Sequence, residues 1–136
     1  MKAIVAEWIA RTEGDWNFAQ REWRARRRPN YDAVCFHAQQ CAEKYLKGRL
    51  SAGGADPPRI HDQLALLDAV AALEPELSPL REEMALLTVY AVRNRYPGDA
   101  ATRDEAGRCI AALRRFRRQI RAVFRMDRGK RKRRPR

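Results

Sequence analysis

Apolar residues recur at intervals of three and four along most of the chain, the spacing of helices that bury one face. In residues 2–28 the rhythm is carried by Ile4, Val5, Trp8, Ile9, Thr12, Trp16, Ala19 and Trp23. In residues 31–52, Tyr31, Val34, Cys35, Ala38, Cys41, Ala42, Tyr45, Leu46 and Leu50 gather on one broad side once successive residues are set about 100° apart. A third helix begins near Ile60 or His61 and carries Leu64, Leu67, Ala71 and Leu73. A fourth, over about 79–93, carries Leu80, Met84, Leu87, Ala91 and Val92. The last, over about 102–126, aligns Ala106, Cys109, Ile110, Leu113, Phe116, Ile120, Val123 and Phe124.

The breaks between these runs have their own chemistry. Pro29-Asn30 ends the first helix, and Asn30 or Asp32 can cap the second. Residues 53–58 are glycine- and proline-rich, Pro75 and Pro79 interrupt the 74–79 stretch, and Asn94, Pro97 and Gly98 mark a turn. Thr102 with Glu105 three residues on reads as a capping box. No period-two strand pattern competes. The fold class predicted is all-α: an antiparallel, up-and-down bundle of four to five helices spanning residues 1–125.

Composition changes this picture mainly at the C-terminus. The 136 residues suit one domain, and 45% hydrophobic content can supply its core. The net charge of +12 is uneven: residues 125–136 carry +7 of it. Apolar periodicity stops there, so residues 126–136 are expected to be a disordered basic tail. Lys130, Arg131, Lys132, Arg133 and Arg134 are its candidate nucleic-acid contacts. No apolar run approaches the roughly 18 residues of a membrane span, and the N-terminus lacks a signal-peptide centre; a cytoplasmic protein is expected. Cys35, Cys41 and Cys109 form no CxxC pair, so they are read as core residues and not metal ligands. No metal or cofactor is expected.

Two stretches hold candidate chemistry. On helix two, His37, Gln40, Lys44 and Lys47 form a polar stripe with Glu43 at its edge. One titratable ring, one amide and two ammonium groups suit an anionic ligand; a solvated face is the plain alternative. Asp15, on helix one, either pairs with a cation of a neighbouring helix or stays solvated. Arg93, Arg95 and Tyr96 in the turn before the last helix suit a phosphate and a flat ring. Combining the two stretches requires helix two and this turn to converge. The row Arg114, Arg117, Arg118, Arg121 and Arg125 is read as lacking acidic partners, which leaves a polyanion contact open beside plain solvation.

The stretch Phe36-His37-Ala38-Gln39-Gln40-Cys41-Ala42-Glu43-Lys44-Tyr45-Leu46-Lys47 resembles the central helix of the HEPN domain (higher eukaryotes and prokaryotes nucleotide-binding). Asp15 on a Trp-bearing first helix, Pro58-Arg59-Ile60-His61-Asp62, and Arg95-Tyr96-Pro97-Gly98 fit in order, over roughly residues 3–124. The resemblance implies a helical bundle, often homodimeric. It also implies a nucleotide or RNA ligand held by His37, Gln40, Glu43, Lys44, Lys47, Arg95 and Tyr96. Many HEPN proteins are metal-independent ribonucleases marked by an Arg followed four to six residues later by a His. Here the positions after Arg93 are Gly98, Asp99 and Ala100, and those after Arg95 are Ala100, Ala101 and Thr102. The expectation is therefore a non-catalytic HEPN subunit, partnered with a small nucleotidyltransferase in a toxin–antitoxin-like pair. The alternatives are an endoribonuclease with a rebuilt His/Arg centre, using His37 or His61 with Arg95, and a general nucleic-acid binder acting through its tail.

Overall fold

The computed structural model describes the backbone of residues 2–93 and 97–132 and the side chains of residues 2–90 and 97–124. Its helices are α1 (Ala3–Arg24), α2 (Tyr31–Ala52), α3 (Gln63–Ala71), α4 (Arg81–Arg93) and α5 (Arg103–Lys132), with a 3₁₀ segment (Pro75–Leu80) leading into α4. There is no strand among the described residues.

The starts of three helices follow from their capping residues. Asn30 Oδ1 accepts from Ala33 N at 2.9 Å, so Asn30 caps α2. Asp62 Oδ1 accepts from Leu64 N and Ala65 N, which sets the start of α3 at Gln63, two to three residues later than the apolar spacing placed it. Thr102 and Glu105 form the expected capping box: Glu105 N donates to Thr102 Oγ1 at 3.1 Å, and Thr102 N donates to Glu105 Oε1 at 2.9 Å. Asp32, the other candidate cap of α2, instead accepts from Ala101 N at 2.7 Å and pins the start of α2 to the segment before α5.

Two further boundaries differ from expectation. α1 stops at Arg24, four residues early; the chain turns through 25–30, where Arg28 takes a left-handed φ of 46°. α5 carries helical backbone to Lys132, six residues beyond the end that apolar periodicity set. Arg, Lys and Met are good helix formers, so loss of an apolar face does not by itself end a helix.

α2 is the axis of the bundle and packs against α1, α3, α4 and α5. The side-chain pairs fix the directions. Thr12 meets Cys41 and Trp23 meets Tyr31, so α1 runs antiparallel to α2. Cys35 meets Cys109 and Tyr45 meets Phe116, so α2 and α5 run parallel. Glu83 meets Arg115 and Tyr90 meets Arg108, so α4 is antiparallel to α5. α2 and α5 thus form a touching diagonal, with α1 and α4 on opposite sides of it and, among the described residues, out of contact with each other.

The core along this diagonal holds Val34, Ala38, Tyr45 and Leu46 of α2 against Ile110, Leu113, Phe116 and Ile120 of α5, closed by Leu66, Leu67, Leu77, Met84 and Leu87. Full burial of each large aliphatic side chain contributes about 1.5–3 kcal/mol. Gly48 allows α1 close against α2: a Cβ there would lie 3.1 Å from Trp8 Cβ. Gly107 does the same for α5, where a Cβ would meet the Trp23 indole at 3.0 Å.

Candidate functional site

The polar stripe of α2 is divided between two carboxylates. Asp15, on the buried side of α1 one turn beyond Thr12, takes the first pair. Its Oδ1 lies 2.8 Å from His37 Nδ1 and its Oδ2 accepts from Lys44 Nζ at 2.6 Å. His37 and Lys44 are seven residues apart, two turns, and so reach the same point on α1. The acid that the sequence left either paired or solvated is thus an 8%-exposed bridge between helices. The side of the His37 ring that carries Nδ1 is thus turned to α1. The ring packs 4.1 Å from Phe18 and edge-on to Phe36, and Phe36 is itself half exposed.

Glu43 takes the second pair. It is 3% exposed, and its carboxylate lies 3.4 Å from Lys47 Nζ and 3.1 Å from His61 Nδ1. Gln39 Nε2 donates to it at 3.4 Å, and Gln40 Nε2 donates to Gln39 Oε1 at 2.9 Å. Lys47 and Glu43 therefore form an internal ion pair with little solvent contact, while Lys44 and His37 keep a quarter or more of their side chains exposed. His61 precedes α3 and is largely exposed. The stripe is an array of neutralised pairs, not a row of bare cations.

A third cluster was not legible in the sequence. Glu13, next to Gly14 on α1, accepts from Arg117 Nη2 at 2.7 Å, from Arg121 Nη1 at 2.9 Å and from the buried Tyr45 hydroxyl. Arg117 also lies over the Trp16 ring, 4.7 Å from its centroid. The α5 arginine row was expected to lack acidic partners; this is wrong for Arg117 and Arg121, which share Glu13 across the bundle. Burial pushes the Glu13 carboxyl up, but the hydrogen bonds from Arg117 and Tyr45 and the charges of Arg117 and Arg121 outweigh it and hold it below the ordinary carboxylate value. Burial, and then the Glu13 contact, push the Tyr45 hydroxyl well up, so it stays neutral and donates.

Beside the Asp15 cluster, Lys44 also lines a cleft of about 260 Å³ with Ile4, Glu7, Trp8 and Arg11. Arg95 and Tyr96 lie outside the described residues, as do Arg133 and Arg134, and the side chains of Lys130, Arg131 and Lys132 are likewise not described. No group of His, Cys, Asp and Glu among the described residues is arranged to hold a metal ion. No helix is long and apolar enough to cross a membrane among those residues.

The sequence that folds into this bundle is matched by the profile of the HEPN domain over residues 5–123. The chain belongs to the HEPN family. Two solved structures carry the same bundle. TT1696 from Thermus thermophilus is 27% identical, with a TM-score of 0.75, covering 87% of this chain and 96% of its own. ST0689, described as an archaeal HEPN homologue, is 26% identical, with a TM-score of 0.66, covering 90% of this chain and 98% of its own. Comparison with curated proteins gives no significant match. The HEPN assignment fixes the family and the fold. It leaves the ligand to be argued from this chain's own side chains.

Proposed function

We propose that this HEPN chain is a non-catalytic subunit that binds a nucleotide or an RNA segment on its α1/α2 face and works beside a small nucleotidyltransferase. The observation that carries the reading is the placement of Lys44: it is held by Asp15 at 2.6 Å and also lines the cleft walled by Trp8 and Arg11. An ammonium, a guanidinium and an indole around one cleft fit a phosphate and a base. Among the described residues Arg11 pairs only with Glu7, four residues back on the exposed side of α1, and exposed pairs of this kind contribute about 0–1 kcal/mol. A ligand phosphate therefore recruits Arg11 at little cost. His37 and Gln40 flank Lys44 on α2. Glu43 and Lys47 act from behind, keeping α2 and the segment before α3 in register. Two copies of the chain pairing through helix faces, as the family resemblance implies, belong to the same proposal.

The test is thermal unfolding of the full chain with and without mononucleotides and short RNAs, together with co-expression beside a nucleotidyltransferase. Nucleotide-dependent stabilisation of the wild type that Lys44→Ala and Arg11→Ala abolish is the expected result. No shift with any nucleotide or RNA, and no transferase retained, would sink the proposal.

A second reading has one specific observation behind it. Asp15 lies 2.8 Å from His37 Nδ1, the carboxylate–imidazole pairing of a proton-transfer dyad. An endoribonuclease built on this dyad would cleave RNA without metal. His37→Ala would lose that cleavage; equal cleavage by both proteins identifies contamination and removes this reading.

A further inference from the structure

A second cleft, of about 590 Å³, opens at the other end of α1, lined by Trp23, Arg24, Arg26, Pro29, Tyr31 and Arg103. It lies on the α5 side of α1: Gly107 of α5 receives the Trp23 indole, whereas the Asp15 cluster faces α2. Three guanidiniums and two aromatic rings meet there. The Trp23 and Tyr31 rings are 6.0 Å apart, and Arg103 lies 5.3 Å from the Trp23 centroid. Such cation–π contacts fix a guanidinium without neutralising it.

The local acids are directed elsewhere. Glu22 accepts from Asn30 N, Asp32 accepts from Ala101 N, and Glu105 accepts from Thr102 N. Asp104, the remaining acid of that turn, is exposed and does not line the cleft. Among the described residues, Arg24, Arg26 and Arg103 have no carboxylate partner, in contrast to Lys44, Lys47, Arg117 and Arg121. The first residues of α2 and α5, Tyr31 and Arg103, also stand at this cleft, so both helix dipoles add positive potential. The volume is within the roughly 300–1,000 Å³ of small-molecule sites.

We infer that the Trp23–Tyr31–Arg103 cleft is a second ligand site, distinct from the α1/α2 face, which takes the phosphate and flat ring of a nucleotide, either free or as one unit of single-stranded RNA. The ring stacks beside Trp23 or Tyr31, and the phosphate is held by Arg26 and Arg103. Stacking accepts any base, so the site selects phosphate and an aromatic ring without selecting sequence.

The experiment uses the full chain and two probes, adenosine 5′-monophosphate and a short oligouridylate, with inorganic phosphate as a control. Binding is read by quenching of tryptophan emission and by salt-dependent titration. Arg26→Ala/Arg103→Ala should weaken binding about tenfold or more. It should also flatten the salt slope for the oligonucleotide by about 1.4, from roughly 0.7 per phosphate contact on single strands. Arg103→Lys, which keeps the charge but loses the planar fork, should restore part of the affinity when combined with native Arg26. The basic segment 125–136 is common to all variants, so it cancels in the comparison. Binding of the monophosphate assigns a free nucleotide; binding of the oligonucleotide alone assigns an RNA segment. The same comparison is made in His37→Ala/Lys44→Ala, where the α1/α2 site is removed; the binding that remains there should be the part that Arg26→Ala/Arg103→Ala weakens. No binding of either probe, or binding unchanged by Arg26→Ala/Arg103→Ala, overturns the inference. Binding lost only in His37→Ala/Lys44→Ala overturns it too, while leaving the α1/α2 proposal standing.

Discussion

Replacing Glu13 with glutamine should destabilise the bundle in a pH-dependent way. The substitution keeps the shape of the side chain and removes the charge on which Arg117, Arg121 and Tyr45 converge. Hydrogen bonds to charged groups contribute about 1.5–3 kcal/mol each when well protected. Here the side chains of Glu13, Arg117 and Arg121 keep 25%, 23% and 33% exposure, so solvent screens the set and the three contacts do not add. About 2 kcal/mol is the reasonable loss for Glu13→Gln near neutral pH. The sign with pH follows from the depressed carboxyl of Glu13. A lowered folded-state pKa gives stability that is complete above the unfolded value, about 4.3, and that drains as pH falls through the lower folded value. The variant has no such carboxylate. The gap between wild type and Glu13→Gln should therefore be constant from about pH 7 to about pH 5 and should close toward about pH 3. Urea unfolding followed by far-UV circular dichroism measures it. A gap absent at neutral pH, or equally large in acid, would refute the electrostatic account of this cluster.

Three further outcomes follow from packing and burial. Gly14 has open space where a Cβ would stand, so Gly14→Ala should raise stability by up to about 1 kcal/mol, whereas Gly48→Ala should lower it by about 1 kcal/mol because the Cβ meets Trp8 Cβ, which cannot rotate away; thermal melts of the pair decide this. Cys35, Cys41 and Cys109 are fully buried, and burial pushes the Cys41 thiol up to about 12, so a thiol reagent at about pH 8 should label none of the three in the native chain and all three in denaturant. Asp15→Asn should cost about 1–3 kcal/mol in urea unfolding, because it leaves the part-buried Lys44 ammonium without its counter-ion, and Asp15→Glu should recover only part of that loss.

The helices were legible in the sequence because burial along them is periodic. Val34, Cys35, Ala38, Ala42, Tyr45 and Leu46 are all fully buried, as their spacing required. The errors fall where periodicity says nothing. Ile4 stands at the start of α1 and Leu73 just past the end of α3, where few neighbours cover them, and both are about half exposed. The start of α3 was missed because Asp62, not the first apolar residue, satisfies the free amides of that turn. For the polar residues the limit was one of partnership. A helical wheel places Lys44 and Lys47 on one stripe but cannot show that each faces its own carboxylate. Glu13 could not be found at all: beside a glycine it looks like a solvated acid, and its cationic partners are more than a hundred residues away.

That distinction between residue type and residue partnership governs where this HEPN chain can take an anion. A cation already held by a buried carboxylate binds phosphate only by giving up that contact, and the ligand must supply both the new interaction and the cost of the uncovered acid. Lys47 with the buried Glu43 is in this position, and Arg117 and Arg121 share the part-exposed Glu13, so a basic row on a helical wheel overstates their availability. Lys44 is intermediate: Asp15 is shared with His37, so a partner for that carboxylate remains if the ammonium swings into the Trp8 cleft. Arg26 and Arg103 are at the opposite limit, with aromatic neighbours and no carboxylate among the described residues, and a phosphate there displaces only water. The order of anion affinity should therefore run from the Arg103 cleft, through Lys44, to the paired cations. That order is the reverse of what depth of burial would suggest, because in this bundle the deepest charges are the ones already satisfied.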